Sequence, residues 1–344
     1  MNSGTMLDTQ NIDKRLLKNI VHASNSDPER KPIRVIELFA GIGSQHQALE
    51  NLGIPHEIVA ISEIDKSAIA GYNAIHGETL NLGDITKIEH LPECDLITYS
   101  FPYQDLSIAG NKTGMAEGSN TRSSLLWEVG RLLADMKVRE ILPEVLLMEN
   151  VDAILNKKNI DQFHKWIMQL NGMGYTSSYA VLNAKDYGIP QNRKRCFMVS
   201  TLSLGEFVFP SGMPLELRLK DMLEEDVPES YYLSGERIAK FEEHRLRNKA
   251  MGNNFGWHPL DSERERVINS VTTNPDRHAS GNFIKIPKTE CQGEPGIQIA
   301  GNLHERERLE QHNRVYSQDG IAPTIFTPHG GDKSPKIKCQ GGTE

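Results

Sequence analysis

The sequence predicts an α/β fold: a mostly parallel sheet covered by helices on both faces, followed by a smaller, irregular, loop-rich domain. Three observations carry this. From Ile33 to about residue 208, short apolar segments alternate with amphipathic segments of helical length, the pattern of βαβ units. The first apolar segment runs straight into the glycines of FAGIG, the kind of strand-to-helix turn at which open α/β sheets receive nucleotide-like ligands. Past Phe209 the alternation stops, and Gly, Pro, Asn and His accumulate.

Taken in order, residues 1–32 are polar and end in SNSDPERKP, a loosely ordered arm. RVIELFAG reads as a strand and SQHQALENLG as a helix closed by Gly53. HEIVAISEID is a second strand, SAIAGYNAIHG a second helix and LITYS a third strand, which leads into the long loop FPYQDLSIAGNKTGMAEGSNTRSS. An amphipathic helix follows from Leu125 to Val138, then the strand EVLLMENV, a helix over residues 159–173, and the strands YTSSYAVLNA and RCFMVSTL. Domain boundaries are therefore expected at 1–32, 33–208 and 209–344. In the last region RVINSVTT, NFIKIPK and GIAPTIFT are short strand candidates. INSVTTNPDRHASGNFIKI and IAPTIFTPHGGDKSPKIKC resemble each other, each an apolar-Thr strand, a polar turn and a second short strand. Loops on a rigid base suit recognition of a shaped partner.

Composition narrows the class. The chain of 344 residues is 38% hydrophobic and 24% charged, ordinary for a globular protein. No stretch approaches the roughly 18 apolar residues that span a bilayer. MNSGTMLDTQNIDKRLLKNI lacks the apolar core of a secretory signal, so the expected location is the cytoplasm. Cys94, Cys196, Cys291 and Cys339 lie far apart with no CxxC pair, which argues against a disulfide framework and gives no metal site. A formal net charge of −8 does not advertise nucleic-acid binding, yet a local basic face can coexist with an acidic remainder.

Four motifs carry chemistry. FAGIG, Phe39 to Gly43, lets backbone approach a ligand closely, and Glu63 ends the second strand about 20 residues later, where a carboxylate meets ribose hydroxyls. Asp84 in GDIT follows the second helix, placed for an adenine amino group. SFPYQDLSIAG, Ser100 to Gly110, is a proline-stiffened loop at the carboxyl end of a central strand. In MENV, Glu149 and Asn150 end another strand and are expected to point into one crevice. A buried Glu there must be paired or protonated, and protonation makes a general acid. In QNRKR, Arg193 and Arg195 are expected on one side of an incipient strand, suited to phosphates or a carbonyl oxygen. Each motif alone has a plainer reading, from a tight βα turn to a solvated charge run.

In this order FAGIG, FPxQDLS, ENV and QxRxR are similar to the signature of the DNA cytosine-5 methyltransferases. GSNTRSSLLWE resembles that family's intervening motif, and TYSFPxQDLS and LLMENV look closest to its CpG-methylating bacterial members. The match is dense over residues 33–201. The resemblance implies a Rossmann-like S-adenosylmethionine-dependent fold with a DNA-recognition domain, duplex DNA as partner, and a restriction-modification role. It also implies cofactor contacts from Phe39, Ala40, Gly41, Gly43, Glu63, Ile64, Asp84, Ile85 and Pro102. In the family a thiolate adds to C6 of a flipped cytosine, making C5 nucleophilic. The Glu of ENV holds or protonates N3, and Arg of QxRxR holds O2. Glu149, Arg193 and Arg195 match those positions.

Two departures stand out. Tyr103 occupies the nucleophile's position. A phenol has an unperturbed pKa of about 10 against about 8.5 for a thiol and is the poorer nucleophile, and its ring fills space meant for the base. Cys94 lies about nine residues, roughly 30 Å, down the same strand, and Cys196 should face away from Arg195. The chain is therefore expected to be inactive or impaired as written. The family also closes with segments like RxLTPxExxRLQGF and GNxV, and neither follows GIAPTIFTPHGGDKSPKIKC. The resemblance then implies a truncated chain, or a split enzyme whose second chain supplies the end. The alternative is a catalytically dead homologue that binds DNA or cofactor. An RNA cytosine methyltransferase fares no better without the cysteine, and a nicotinamide oxidoreductase would not require ENV and QxRxR.

Overall fold

The computed structural model describes residues 31–102, 125–223, 232–253, 257–261, 264–270 and 282–285, with the backbone of 297–298. The chain divides into two compact units that interleave along the sequence. The first takes in the chain up to Ile64, His76–Leu182 and Lys194–Ser211. The second takes in Asp65–Ile75, Asn183–Arg193 and the chain from Gly212 onward.

The elements follow the expected alternation closely: β1 (Ile33–Leu38), α1 (Ser44–Asn51), β2 (His56–Ser62), α2 (Lys66–His76), β3 (Leu96–Tyr99), α3 (Leu126–Val138), β4 (Val145–Val151), α4 (Ile160–Met173), β5 (Thr176–Asn183), β6 (Gln191–Asn192) and β7 (Lys194–Thr201). Six strands form one sheet in the order β2-β1-β3-β4-β7-β5. β2, β1, β3 and β4 run parallel, and β7 lies antiparallel to β4.

The central strands are mostly apolar and successive side chains alternate, so both faces of the sheet carry core. Ile36, Ile97 and Leu146 join the larger core with Leu132, Leu133, Phe163 and Trp166 of α3 and α4. Their immediate neighbours Val35, Leu96 and Val145 join the smaller one with Leu49, Phe207 and Phe209. Trp166 brings a polar atom into the larger core, and its Nε1 donates to Tyr99 Oη at 3.1 Å. Burial pushes the Tyr99 hydroxyl's pKa up, so it stays protonated.

The second unit corrects one expectation. Besides short strands β8 (Leu260–Asp261), β9 (Ile268–Asn269), β10 (Ile284–Lys285) and β11 (Ile297–Gln298), it contains a 16-residue helix, α5 (Gly235–Ala250). Ser234 caps it by accepting from Arg237 N at 3.3 Å. Spaced pairs such as Glu236–Lys240 and Glu243–Arg247 line its exposed side. The helix escapes a composition-based reading because its apolar stripe is thin: Ile238 and Phe241 pack on Leu233, Trp257 and Phe283. No helix among the described residues is long and apolar enough to cross a membrane.

Candidate active site

The site is built at the carboxyl ends of β1 to β4. β1 ends at Leu38, and the chain turns through Phe39 and Gly41 with φ of 58° and 59°, both left-handed. For Phe39 that conformation is strained. The amides of Phe39 and Ala40 hold it there by donating to Ser62 O at 2.8 and 3.2 Å. Gly43, φ 80°, then opens α1 without a side-chain cap. Instead Glu37, buried in β1, accepts from His46 N at 3.0 Å and satisfies the helix start.

Glu63 is only 6% exposed. Its Oε2 accepts from Gly41 N at 2.9 Å and its Oε1 from Ile64 N at 2.8 Å. The carboxylate therefore shapes the glycine turn, bridging the amides of Gly41 and Ile64. Asn81 fixes Glu63 in turn: its side chain accepts from Glu63 N and Gly83 N and donates to Glu63 O. Ile64 is 68% exposed, an apolar surface beside a buried acid. A Cβ added at Gly41 would meet nothing within 4 Å, so the turn borders open space.

Asp84 uses Oδ1 locally, accepting from Thr86 N at 3.0 Å and Thr86 Oγ1 at 2.8 Å. Those bonds hold its carboxyl below the usual range. The Ile85 side chain is core, and its carbonyl accepts from Arg131. What Ile85 offers a ligand is therefore backbone.

The two halves of the Glu149–Asn150 motif separate, which corrects the expectation of a shared crevice. Consecutive strand residues face opposite sides. Asn150 is buried, donates to Phe101 O at 3.0 Å and accepts from Val151 N at 2.9 Å. It thereby pins the chain just before Pro102. Glu149 faces the other way, with Arg195 Nε 2.9 Å from its Oε1. The register explains the pair: Val151 lies opposite Arg195 and Glu149 opposite Phe197, so Glu149 and Arg195 are diagonal neighbours on one face. Among the described residues the Glu149 side chain makes no other polar contact.

Arg193 does not continue that strand. It falls between β6 and β7, its N–H donating to Asn183 Oδ1 and Gln191 O at 3.0 Å each, and it belongs to the second unit whereas Arg195 belongs to the first. Cys196 turns away from Arg195 as expected, into the core, and burial pushes its thiol up to about 12. Cys94 is buried as well, with its thiol raised to about 12 by the same cause. Tyr103 and the rest of its loop to Ser124, like Cys291, Cys339 and the closing segments, lie outside the described residues. Sequence reasoning missed Glu37 and Asn81. An acid inside the apolar run RVIELF was the available signal for Glu37, whereas nothing local marks Asn81.

Comparison with known proteins shows which family the chain resembles. Residues 33–318 match the family model for the C-5 cytosine-specific DNA methylase. The chain is 36% identical over 263 residues to the Type II methyltransferase M2.ScrFI of Lactococcus lactis subsp. cremoris, covering 60% of this chain and 72% of that protein. It is 35% identical over 273 residues to the orphan methyltransferase M.SssI of Spiroplasma monobiae, covering 61% and 70%. Among solved structures, that of the S. pombe Dnmt2 methyltransferase superposes with a TM-score of 0.55 at 21% identity, covering 76% and 78%, so the two share a fold.

Proposed function

The chain belongs to the C-5 cytosine-specific DNA methylase family, and from that premise we propose how its residues divide the work. Residues 33–208 form the catalytic domain and bind S-adenosylmethionine. Residues 209–344 form the linker and the domain that recognises a duplex site. The open space at Gly41, the buried Glu63 and the exposed Ile64 fit a nucleoside. Phe39 to Gly43 present backbone to the cofactor, Glu63 takes its ribose hydroxyls, Ile64 flanks its adenine, and Asp84, the Ile85 backbone and Pro102 complete the rim. When bound, the cofactor supplies a methyl group on an electrophilic sulfonium.

The observation that carries the catalytic reading is the Glu149–Arg195 pair at 2.9 Å. Arg195 fixes one oxygen of the carboxylate, and the other is left to meet N3 of a cytosine turned out of the duplex. A guanidinium beside that acid also suits the ring's O2. Asn150 holds the Phe101 carbonyl, two residues before the position from which a nucleophile reaches C6. Tyr103 stands there, and its phenol does not form the C6 adduct. The chain as written binds cofactor and DNA but does not complete methyl transfer.

The test pairs the chain with its Tyr103→Cys variant on duplex DNA containing 5-fluorocytosine and S-adenosylmethionine. The variant should give a covalent complex that survives denaturation, and the parent none. Tritium transfer by the parent above a no-enzyme control, abolished by Glu149→Ala, would overturn the inactivity. A folded Tyr103→Cys chain that traps no DNA would overturn the placement of the nucleophile.

A further inference from the structure

Next to the FAGIG turn lies a cluster of metal-ligating side chains that the methyl-transfer reading does not use. His46 and Glu50 are four residues apart on α1, which sets them on one face, and His76 ends α2. Glu50 reaches both rings, with Oε1 3.5 Å from His46 Nε2 and Oε2 3.6 Å from His76 Nδ1. One donor atom from each of the three residues can be chosen so that all lie within 4.8 Å of one another. The rings of His46 and His76 stack with centroids 4.1 Å apart, and His56 stands edge-on to His46 at 5.0 Å.

We propose that His46, Glu50 and His76 form a binding site for a divalent transition-metal ion of the zinc type.

Two features favour a metal over a plain ion pair. The first is distance. A charge-assisted N–H···O bond closes to about 2.7–2.9 Å, and both separations here are well beyond that. Either one alone is close to the edge of a tetrahedron with bonds of about 2.0–2.2 Å, about 3.3–3.6 Å long; they end on different oxygens of Glu50, and with one atom from each residue the three donors lie within 4.8 Å. The second is the tautomer. His76 Nε2 lies 3.1 Å from Ile42 O, and only a protonated nitrogen satisfies a carbonyl. In the neutral ring Nδ1 then presents its lone pair toward Glu50 Oε2. A cation between that nitrogen and the carboxylate would be bound by both.

The surroundings fit the assignment. A ligating histidine ordinarily donates its other N–H to a backbone carbonyl, as His76 does to Ile42. Two imidazoles and one carboxylate suit zinc and its neighbours better than the all-oxygen ions calcium and magnesium. The His76 side chain is 0% exposed whereas Glu50 is 43% exposed, so the ion enters past the carboxylate, and a water takes a fourth position. Because the His76 bond ends on Ile42, inside FAGIG, a bound ion also stiffens the turn.

The experiment uses the full chain, stripped with a chelator and titrated with zinc against a colorimetric competitor, then with cobalt as a spectroscopic probe. One equivalent of zinc should bind, and cobalt should give the visible absorption of a low-coordinate nitrogen-oxygen site. Glu50→Ala leaves a good helix former at a partly exposed position, so the fold persists. It should weaken zinc binding by about 100-fold or more, since losing a direct ligand exceeds the 10- to 100-fold of losing an outer partner, and should abolish the cobalt bands. His46→Gln should do the same. Absence of binding at micromolar zinc overturns the site and leaves a stack of neutral histidines. Binding that survives Glu50→Ala unchanged also overturns it, by placing the ion on others of the chain's 12 histidines and 4 cysteines.

Discussion

Replacing Asn150 by alanine should unfold the sheet-bearing unit at a markedly lower temperature, although Asn150 touches no reacting atom. The side chain makes two hydrogen bonds: it donates to Phe101 O at 3.0 Å and accepts from Val151 N at 2.9 Å. Phe101 is buried, so its carbonyl would be stranded where water cannot replace the donor, at a cost of about 1–3 kcal/mol. Val151 is half-buried, and losing its bond adds about 0.5–1.5 kcal/mol. The sum of about 1.5–4.5 kcal/mol corresponds to a fall in Tm of roughly 3–18 °C for a unit of this size. Glu149→Gln provides the contrast. It leaves an amide oxygen to accept from Arg195 in a pair 23% and 14% exposed, at a cost of about 1 kcal/mol, and should shift Tm by no more than about 4 °C. In a Tyr103→Cys background both variants should lose the trapped DNA complex, one through misplacement of the loop and the other through chemistry. Scanning calorimetry and the 5-fluorocytosine trap measure the two effects separately. An Asn150→Ala chain melting within 2 °C of its parent, or a Glu149→Gln chain melting lower than it, would refute the division of roles.

Two further predictions concern the cofactor turn and the second unit. Gly41→Ala should cost about 1 kcal/mol in stability, because φ of 59° strains an L side chain. It should also weaken S-adenosylmethionine binding at least tenfold by calorimetry, since its Cβ enters the open space beside the turn; unchanged affinity would remove that space from the cofactor site. In the second unit, hydrogen bonds from Arg245 and from Trp257 Nε1 hold the Glu242 carboxyl near 2. A depressed carboxyl stabilises the fold above its unfolded value of about 4.5 and loses that contribution as pH falls toward 2. Trp257 fluorescence should therefore change between pH 4.5 and 2, and Glu242→Gln should flatten the profile; an identical acid transition in that variant would dismiss the linkage.

Much of the first unit is legible because its signals are local. IRVIEL, LITY and VLLMENV are mostly apolar, as strands buried on both faces are, and each helix between them shows its period within about a dozen residues. FAGIG announces a turn because left-handed backbone favours glycine, and Glu63 follows at a spacing set by one βαβ unit. The helix Gly235–Ala250 was missed for the converse reason: its charged faces outweigh a two-residue apolar stripe, and the Trp257 and Phe283 that hold it lie beyond its own window.

By itself, then, the sequence determined the order of strands and helices, the glycine turn after β1 and the absence of a thiol at position 103. Those properties depend on residue type and near neighbours. Tertiary structure alone decided that β7 runs antiparallel to β4, and so that Arg195 meets Glu149 across 46 positions of chain. It also decided that Asn150 serves the loop rather than the pocket, that Asn81 braces Glu63, and that His76 comes within reach of Glu50. Each is a pairing of residues distant in the chain, and nothing local encodes it: register and packing fix which side chains meet, and both exist only once the sheet has formed.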